Sequence, residues 1–141
     1  MNSAIETLIP ANVSYSSDTS IEHPGSDQSP RILYNSCERR LDIVGPSTLE
    51  EAEAFFRPIV DQVYDDLHEK RSATVAFELT IFGHKTTKVL FKFFDNLKYF
   101  KQRNRVARII WKYQSEDDNM RELGEAFSEL FDLDFQLEAV A

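Results

Sequence analysis

Apolar residues recur at every third or fourth position in three stretches of the chain, and this spacing predicts three helices. We expect the first helix to begin at Ser47, because Ser47 and Glu50 have the spacing of a capping box, in which each side chain bonds an otherwise unpaired backbone amide. Pro58 lies inside this helix, and its missing amide hydrogen predicts a kink or a local break. The second helix is predicted from about Lys85 to Gln102.

The third helix is predicted to follow an acidic turn, in which Asp117 or Asp118 can act as the N-cap. Stretches rich in β-branched and aromatic residues predict four strands. These strands cover residues 31–34, 41–44, 74–82 and 106–113. The first two strands are expected to form a hairpin that ends at Gly45 and Pro46, and residues 74–113 are expected to form a right-handed parallel crossover. The order β-β-α-β-α-β-α therefore predicts an α/β fold, a single domain in which helices pack on a mixed central sheet.

The first 30 residues differ in composition from the rest of the chain. They contain 7 serines and 3 of the 5 prolines, but none of the 11 phenylalanines. A segment with so few apolar side chains to bury cannot offset the entropy that it loses on ordering. We therefore expect residues 1–30 to be a disordered tail and residues 31–141 to form the folded domain.

Composition and charge exclude some classes of protein. The chain has 141 residues, which suits one domain, and its 16 basic and 24 acidic residues give a net charge of −8. This balance argues against a generic nucleic-acid-binding protein. The single cysteine, Cys37, cannot form a disulfide within the chain, so a reducing, cytoplasmic setting is the simplest interpretation. No signal peptide and no apolar stretch of membrane-spanning length is visible, so we expect no association with a membrane.

Motifs that carry catalytic chemistry are absent from the sequence. It contains no glycine-rich phosphate loop, no nucleophile elbow, no HExxH and no zinc-binding spacing. The three histidines, His23, His68 and His84, are far apart along the chain. The acids at residues 116–118 suggest a metal site, but a solvated turn that caps the next helix is the better interpretation. We therefore expect a protein that is not an enzyme, with no catalytic residue, no metal site and no cofactor.

Charge is unevenly distributed along the second half of the chain. Residues 85–112 contain nine basic residues and one acid, whereas residues 113–141 contain nine acids and one arginine. One interpretation is a pair of solvated faces of opposite charge, which we favour. The other is a bipolar surface that steers a charged partner. An anion- or nucleic-acid-binding module that uses the basic segment 85–112 is the corresponding alternative function.

Three stretches of the sequence resemble one known family. Residues 45–56 read GPSTLEEAEAFF, are followed by PIV at residues 58–60, and resemble the G-x-S-Y-P-E-N-A-x-x-F-F opening of SiaC-type biofilm regulators. Residues 111–113, WKY, and residues 117–127, DDNMRELGEAF, are similar to the W-x-Y strand and the acidic helix of the same family. The resemblance covers about residues 30–135.

This resemblance implies a fold and a function. SiaC-type proteins are similar in fold and logic to anti-sigma-factor antagonists, and they work by partner switching. A dedicated kinase phosphorylates them, a PP2C-type phosphatase reverses that step, and the unmodified form binds and activates a diguanylate cyclase. We therefore expect a bacterial, non-enzymatic signalling protein of a cyclic di-GMP pathway that acts through protein–protein contacts.

The family's phosphoacceptor is the threonine of an N-T-S-S-x-K motif at a strand-to-helix junction, and the present chain departs from that motif. Anchored on Lys88, the motif aligns with GHKTTK at residues 83–88, so His84 takes the place of the acceptor threonine. Thr86 and Thr87 are the candidate substitute acceptors, and the alternative for either is an N-cap whose hydroxyl bonds a backbone amide. The residues expected to bind a partner are Gly83, His84, Lys85, Lys88 and Lys92.

Overall fold

The fold is that of a computed structural model, which describes residues 20–141. The part of the chain that it describes contains six strands and three helices. They are β1 (Ser20–His23), β2 (Arg31–Asn35), β3 (Arg40–Ser47), α1 (Ala52–Glu69), β4 (Ser72–Phe82), α2 (His84–Lys101), β5 (Val106–Gln114), α3 (Asp118–Phe131) and β6 (Phe135–Val140).

All six strands form one mixed sheet, and their order in the sheet is their order along the chain. β1, β2 and β3 pair antiparallel, whereas β3, β4, β5 and β6 pair parallel, with one helix between each consecutive parallel pair. The predicted hairpin of β2 and β3 and the predicted parallel pairing of β4 with β5 are confirmed. The α/β class, with one mixed sheet and packed helices, is confirmed as well.

The predicted element order is incomplete, because it lacks the two edge strands β1 and β6. The observed order is β-β-β-α-β-α-β-α-β. β1 lies within the predicted tail and pairs with β2, so a tail cannot extend to residue 30; residues 1–19 lie outside the described residues. β6 contains glutamine, glutamate and alanine, which are poor strand formers, and its pairing with β5 stabilises the extended conformation.

The start of α1 is also corrected by the structure. β3 continues through Gly45, whose φ is 120°, to Ser47, and the pairing of β3 with β4 is irregular there. Ser47 is therefore the end of a strand and not a helix cap, and α1 begins at Ala52 with Glu51 at the N-cap. No break occurs at Pro58, since α1 continues through it to Glu69.

The three helices cover one face of the sheet. Alternate residues of the central strands pack beneath them, among them Phe77 of β4 and Trp111 of β5, both at most 2% exposed. The indole Nε1 of Trp111 donates to the carbonyl oxygen of Met120 in α3 at 2.9 Å. Gly124 lies so close to the same indole that a Cβ there would overlap its ring carbons. As predicted for the acidic turn, the Asp117 carboxylate caps α3, accepting from the Met120 amide at 3.0 Å.

A buried polar pair joins the antiparallel part of the sheet to α1. The hydroxyl of Tyr34 in β2 donates to the Asp66 carboxylate at 2.6 Å, and both side chains are buried. Burial, together with the adjacent carboxylate, raises the pKa of the Tyr34 phenol well above its ordinary value. The pair therefore consists of a neutral tyrosine that donates to a carboxylate.

Candidate functional site

The candidate site is the junction at which β4 ends and α2 begins. Gly83 occupies the N-cap of α2 in an extended conformation, with φ −93° and ψ −178°, and no side chain caps this helix. The first turn of any helix leaves backbone amides unpaired and carries the positive end of the helix dipole. Open space surrounds the position that a Cβ of Gly83 would occupy. The positive end of the α2 dipole is therefore accessible to a partner at this junction.

Thr86 faces the protein interior and not the solvent. Its side chain is 1% exposed. Its Oγ1 lies 2.7 Å from the Oγ of Ser47 and donates to the Ser47 carbonyl oxygen at 3.0 Å. The Ser47 carbonyl also accepts from the Gly83 amide at 3.1 Å. These contacts tie the first turn of α2 to the end of β3.

Thr87 is half-buried, and its hydroxyl donates to the Gly83 carbonyl oxygen at 3.1 Å. Neither threonine is the N-cap of α2, so the predicted capping role is wrong for both. Both hydroxyls donate to carbonyl oxygens, which differs from a cap that accepts from an amide. Sequence analysis also missed the contribution of Ser47 to this site, although Ser47 lies in the first matching stretch.

The remaining predicted residues form what we call the junction surface. It consists of Gly83, His84, Lys85, Lys88 and Lys92. All four of its side chains are exposed, and the three lysines recur at helical spacing along α2.

Acids at the start of α1 partly neutralise the junction surface. The Nζ of Lys85 lies 3.5 Å from a carboxylate oxygen of Glu50, and the Nζ of Lys92 lies 4.0 Å from a carboxylate oxygen of Glu53. These exposed pairs contribute little to stability. Lys88, which lies between the two pairs, has no ion pair within the described part of the chain. It is therefore the cation of this surface that is most available to a partner.

A groove of about 520 Å³ separates α1 from α2 beside the junction surface. Acids of α1 and the segment before it line one rim, and the three lysines of the junction surface line the other. The floor is apolar and consists of Phe56, Val60, Tyr64, Val89 and Phe93. At its far end the Asn96 side chain donates to the Tyr64 hydroxyl at 2.9 Å, and burial raises the pKa of that phenol. This groove depends on how two helices pack, so the sequence pattern did not indicate it.

A second, shallower depression lies on the other side of α2. Its apolar walls are Phe91, which is 42% exposed, and Phe131 of α3. The Phe91 ring packs edge-on against Phe131, with a centroid distance of 5.4 Å. Lys88 and Lys92 line this depression as well as the groove. On the exposed side of α2, Lys88 and Lys92 therefore lie between two apolar surfaces, the floor of the groove and the walls of this depression.

The basic segment 85–112 does not form one continuous surface. Arg108 and Lys112 alternate with the core residues of β5, so they lie on the sheet face opposite the helices. At the end of α2, the Nζ of Lys101 donates to the carbonyl oxygen of Asp132 at 2.6 Å. This separation favours the interpretation as solvated faces, and it argues against a nucleic-acid-binding module.

The other candidate residues have structural roles or no shared site. His68 is exposed in the last turn of α1, where the helix dipole favours a cation. Within residues 20–141, no three His, Cys, Asp or Glu side chains come together in a way that could hold a metal ion. None of the described helices combines the length and apolar character needed to cross a membrane.

Known protein structures share the fold of this chain. Apo-SiaC from Pseudomonas aeruginosa is similar in structure, with a TM-score of 0.78 at 23% identity over 86% of this chain and 99% of that chain. A chain of the P. aeruginosa diguanylate cyclase SiaD in complex with its activator SiaC has a TM-score of 0.79 at 23% identity, covering 85% and 99%. No curated protein sequence gives a significant match.

At these identities the structural similarity shows a shared fold. A family model described as SiaC family regulatory phosphoprotein matches residues 23–140, which is nearly all of the described chain. The chain therefore belongs to the SiaC family of regulatory phosphoproteins.

Proposed function

We propose that this protein is a non-enzymatic partner-switch regulator of the cytoplasm that binds a kinase, a diguanylate cyclase, or both through the junction surface. Lys88 carries this proposal. It is exposed and has no ion pair in the described residues, and it lies one turn from the positive end of α2. A partner with an acidic contact surface fits such a site.

A solved complex of a related protein supports the kind of partner. In P. aeruginosa, SiaC is the activator of the diguanylate cyclase SiaD and forms a complex with it. The present chain has the same fold and belongs to the same family. By extension, we propose a diguanylate cyclase as its effector, with a dedicated kinase and a PP2C-type phosphatase as the modifying enzymes.

The contacts of the two threonines bear on whether phosphorylation controls this binding. The hydroxyl of Thr86 is buried and hydrogen-bonded to Ser47, so a kinase would have to open the end of β3 to reach it. Thr87 is half-buried and has one hydrogen bond, to Gly83. Of the two candidates we therefore favour Thr87. A phosphate there would add ~2 negative charges next to Lys88 and repel an acidic partner.

In the motif alignment, His84 takes the place of the family's acceptor threonine. His84 has no hydroxyl, and its side chain is exposed at the first residue of α2. This substitution favours a divergent member of the family that binds its partner without a phosphorylation switch at that position. The proposal therefore has two parts that are tested separately. One is binding at the junction surface, and the other is control of that binding by phosphorylation.

Binding is tested with a purified diguanylate cyclase from a SiaC-type system by titration calorimetry. The Lys88→Glu variant should bind at least tenfold more weakly, which corresponds to about 1.4 kcal/mol. The matched control is Lys70→Glu, because Lys70 is exposed after the end of α1 and away from the junction. Equal affinity of wild type and Lys88→Glu, or an equal loss in the control, would contradict the proposed site.

Control is tested by intact-mass analysis after incubation with the kinase of a SiaC-type system. A single phosphoryl adduct that disappears in Thr87→Ala, and persists in Thr86→Val, is the expected result if the chain is still modified. An unmodified wild-type chain that binds the cyclase supports constitutive binding. An adduct on His84 or Thr86 would refute both versions.

A further inference from the structure

The outer edge of β6 is one of the two unpaired edges of the described sheet. β6 pairs with β5 on one side only, and it is the last strand in the sheet order. The Val140 carbonyl accepts from the Ser115 amide at 2.9 Å, so the backbone of Val140 faces β5. Because successive residues of a strand point their backbone groups to opposite edges, those of Phe135, Leu137 and Ala139 point outward.

These outward groups have almost no partners in residues 20–141. The Phe135 amide is 3.4 Å from the Ser128 Oγ, and no hydrogen bond there uses the outward groups of Leu137 or Ala139. Natural edge strands are usually protected by lysine, proline, a bulge or short length. β6 has six residues, with no proline, lysine or arginine, whereas β1 at the opposite edge has four residues and is followed by Pro24.

We propose that this edge pairs antiparallel with β6 of a second copy of the chain, about a two-fold axis that passes between the Leu137 residues of the two copies. In this register Leu137 faces Leu137 of the other copy, and Ala139 faces Phe135. This register pairs all three outward-facing residues of β6. Both copies use the same strand edge, as two-fold symmetry requires. The result is one continuous sheet of twelve strands.

The side chains of β6 match themselves in this register. On the face covered by the helices, apolar residues meet apolar residues: Leu137 meets Leu137, and Phe135 meets Ala139. On the sheet face opposite the helices, Gln136 lies opposite Glu138 of the other copy. The Gln136 amide already donates to Glu138 of its own chain, and no like charges are directly opposed across the interface. This self-complementarity is the reason for proposing a second copy as the occupant.

The charge of α3 sets the strength of the proposed dimer. The helix carries Asp118, Glu122, Glu125 and Glu129, and its one cation, Arg121, lies 3.2 Å from Glu125. The two-fold axis brings α3 of each copy to the same side of the joined sheet, where the two acidic helices repel each other. An interface formed by one strand pair is also small. We therefore expect a weak dimer that is strengthened by salt, because salt screens this repulsion.

The test is sedimentation equilibrium of the full chain over a range of protein concentrations, at low and high salt. The wild type should show a monomer–dimer equilibrium that shifts toward dimer as salt is raised. Ala139→Pro removes an outward amide and no hydrogen bond within the monomer, so the variant should remain folded and monomeric. Ala139→Lys is a second edge variant, and Ala54→Lys, at an exposed position of α1, is the matched control that should dimerise as the wild type does.

Disulfide trapping tests the register, in a Cys37→Ser background. Directly paired residues have Cα atoms about 5.5 Å apart, within the range that a disulfide spans. Leu137→Cys should therefore form a covalent dimer on mild oxidation. In Glu138→Cys each cysteine lies opposite Gln136 of the other copy, two residues away from the other cysteine. The covalent dimer of this variant should therefore form much more slowly. A wild type that is monomeric at every concentration and salt, unchanged dimerisation of both Ala139 variants, or equal trapping at the two positions would overturn the proposal. It does not depend on the junction surface, so failure of one leaves the other standing.

Discussion

Replacing Thr86 by valine tests whether this residue locks the start of α2 to the sheet. Valine keeps the shape of the side chain but removes its hydroxyl, and with it the hydrogen bonds to the Oγ and the carbonyl oxygen of Ser47. The Ser47 side chain is 0% exposed, and its hydroxyl has no other partner in the described structure. Leaving such a hydroxyl unpaired costs ~1–3 kcal/mol. We expect Thr86→Val to lower the free energy of unfolding by about 2 kcal/mol.

Replacing the partner residue, Ser47, should lower the free energy of unfolding by less. In Ser47→Ala the Thr86 hydroxyl can still donate to the carbonyl oxygen of residue 47, so the loss is that of one hydrogen bond, about 1 kcal/mol. In the double variant no buried hydroxyl is left without a partner, and its loss should also be about 1 kcal/mol. The summed single effects then exceed the double effect by ~2 kcal/mol, which is the coupling expected of residues in direct contact.

The measurement is urea unfolding of the wild type, both single variants and the double variant, followed by circular dichroism. In thermal unfolding of a domain of this size, a loss of 2 kcal/mol in the free energy of unfolding corresponds to a decrease in melting temperature of roughly 8 °C. Two outcomes would refute the reasoning. One is a Thr86→Val variant as stable as the wild type. The other is strict additivity, which would show that the two hydroxyls do not depend on each other.

Three further predictions concern the core and its caps. Gly124→Ala should cost about 1–3 kcal/mol, because its Cβ would overlap the Trp111 indole, and fluorescence of this single tryptophan should change. Tyr34→Phe should cost about 2 kcal/mol, because the buried Asp66 carboxylate loses its tyrosine donor. The raised pKa of Tyr34 means that its unfolded form ionises first; stability should therefore fall above about pH 10, and less steeply in the phenylalanine variant. Asp117→Ala should cost ~1 kcal/mol through loss of the α3 cap, measured by thermal unfolding.

The sequence predicted the elements that have strong, long periodic patterns. α2 was expected from Lys85 to Gln102 and runs from His84 to Lys101, since its apolar stripe continues over five turns. β6 was missed because its sequence, FQLEAV, has few strand-forming residues and is stabilised by pairing with β5.

The location of the candidate residues in the fold was predictable from the sequence, but their contacts were not. The junction residues came from motif spacing, and the structure places them on one exposed side of α2. The role of Ser47 could not be read from its neighbours, because its bonding partner lies 39 residues away. A local capping pattern with Glu50 therefore misled the prediction, and the groove between α1 and α2 was missed for the same reason: both depend on contacts between distant segments.

The identity of strand order and chain order has a consequence for synthesis on the ribosome. Each described strand pairs with the strand synthesised just before it. No strand in the middle of the sheet therefore has to be inserted after its neighbours have paired. Pairing each strand with its neighbour in sequence also keeps the closed loops, and so the entropy cost of closing them, smaller than a crossed strand order would. The nascent chain can therefore build the described sheet outward from the hairpin of β2 and β3, and β6 is the last of the described strands to be synthesised.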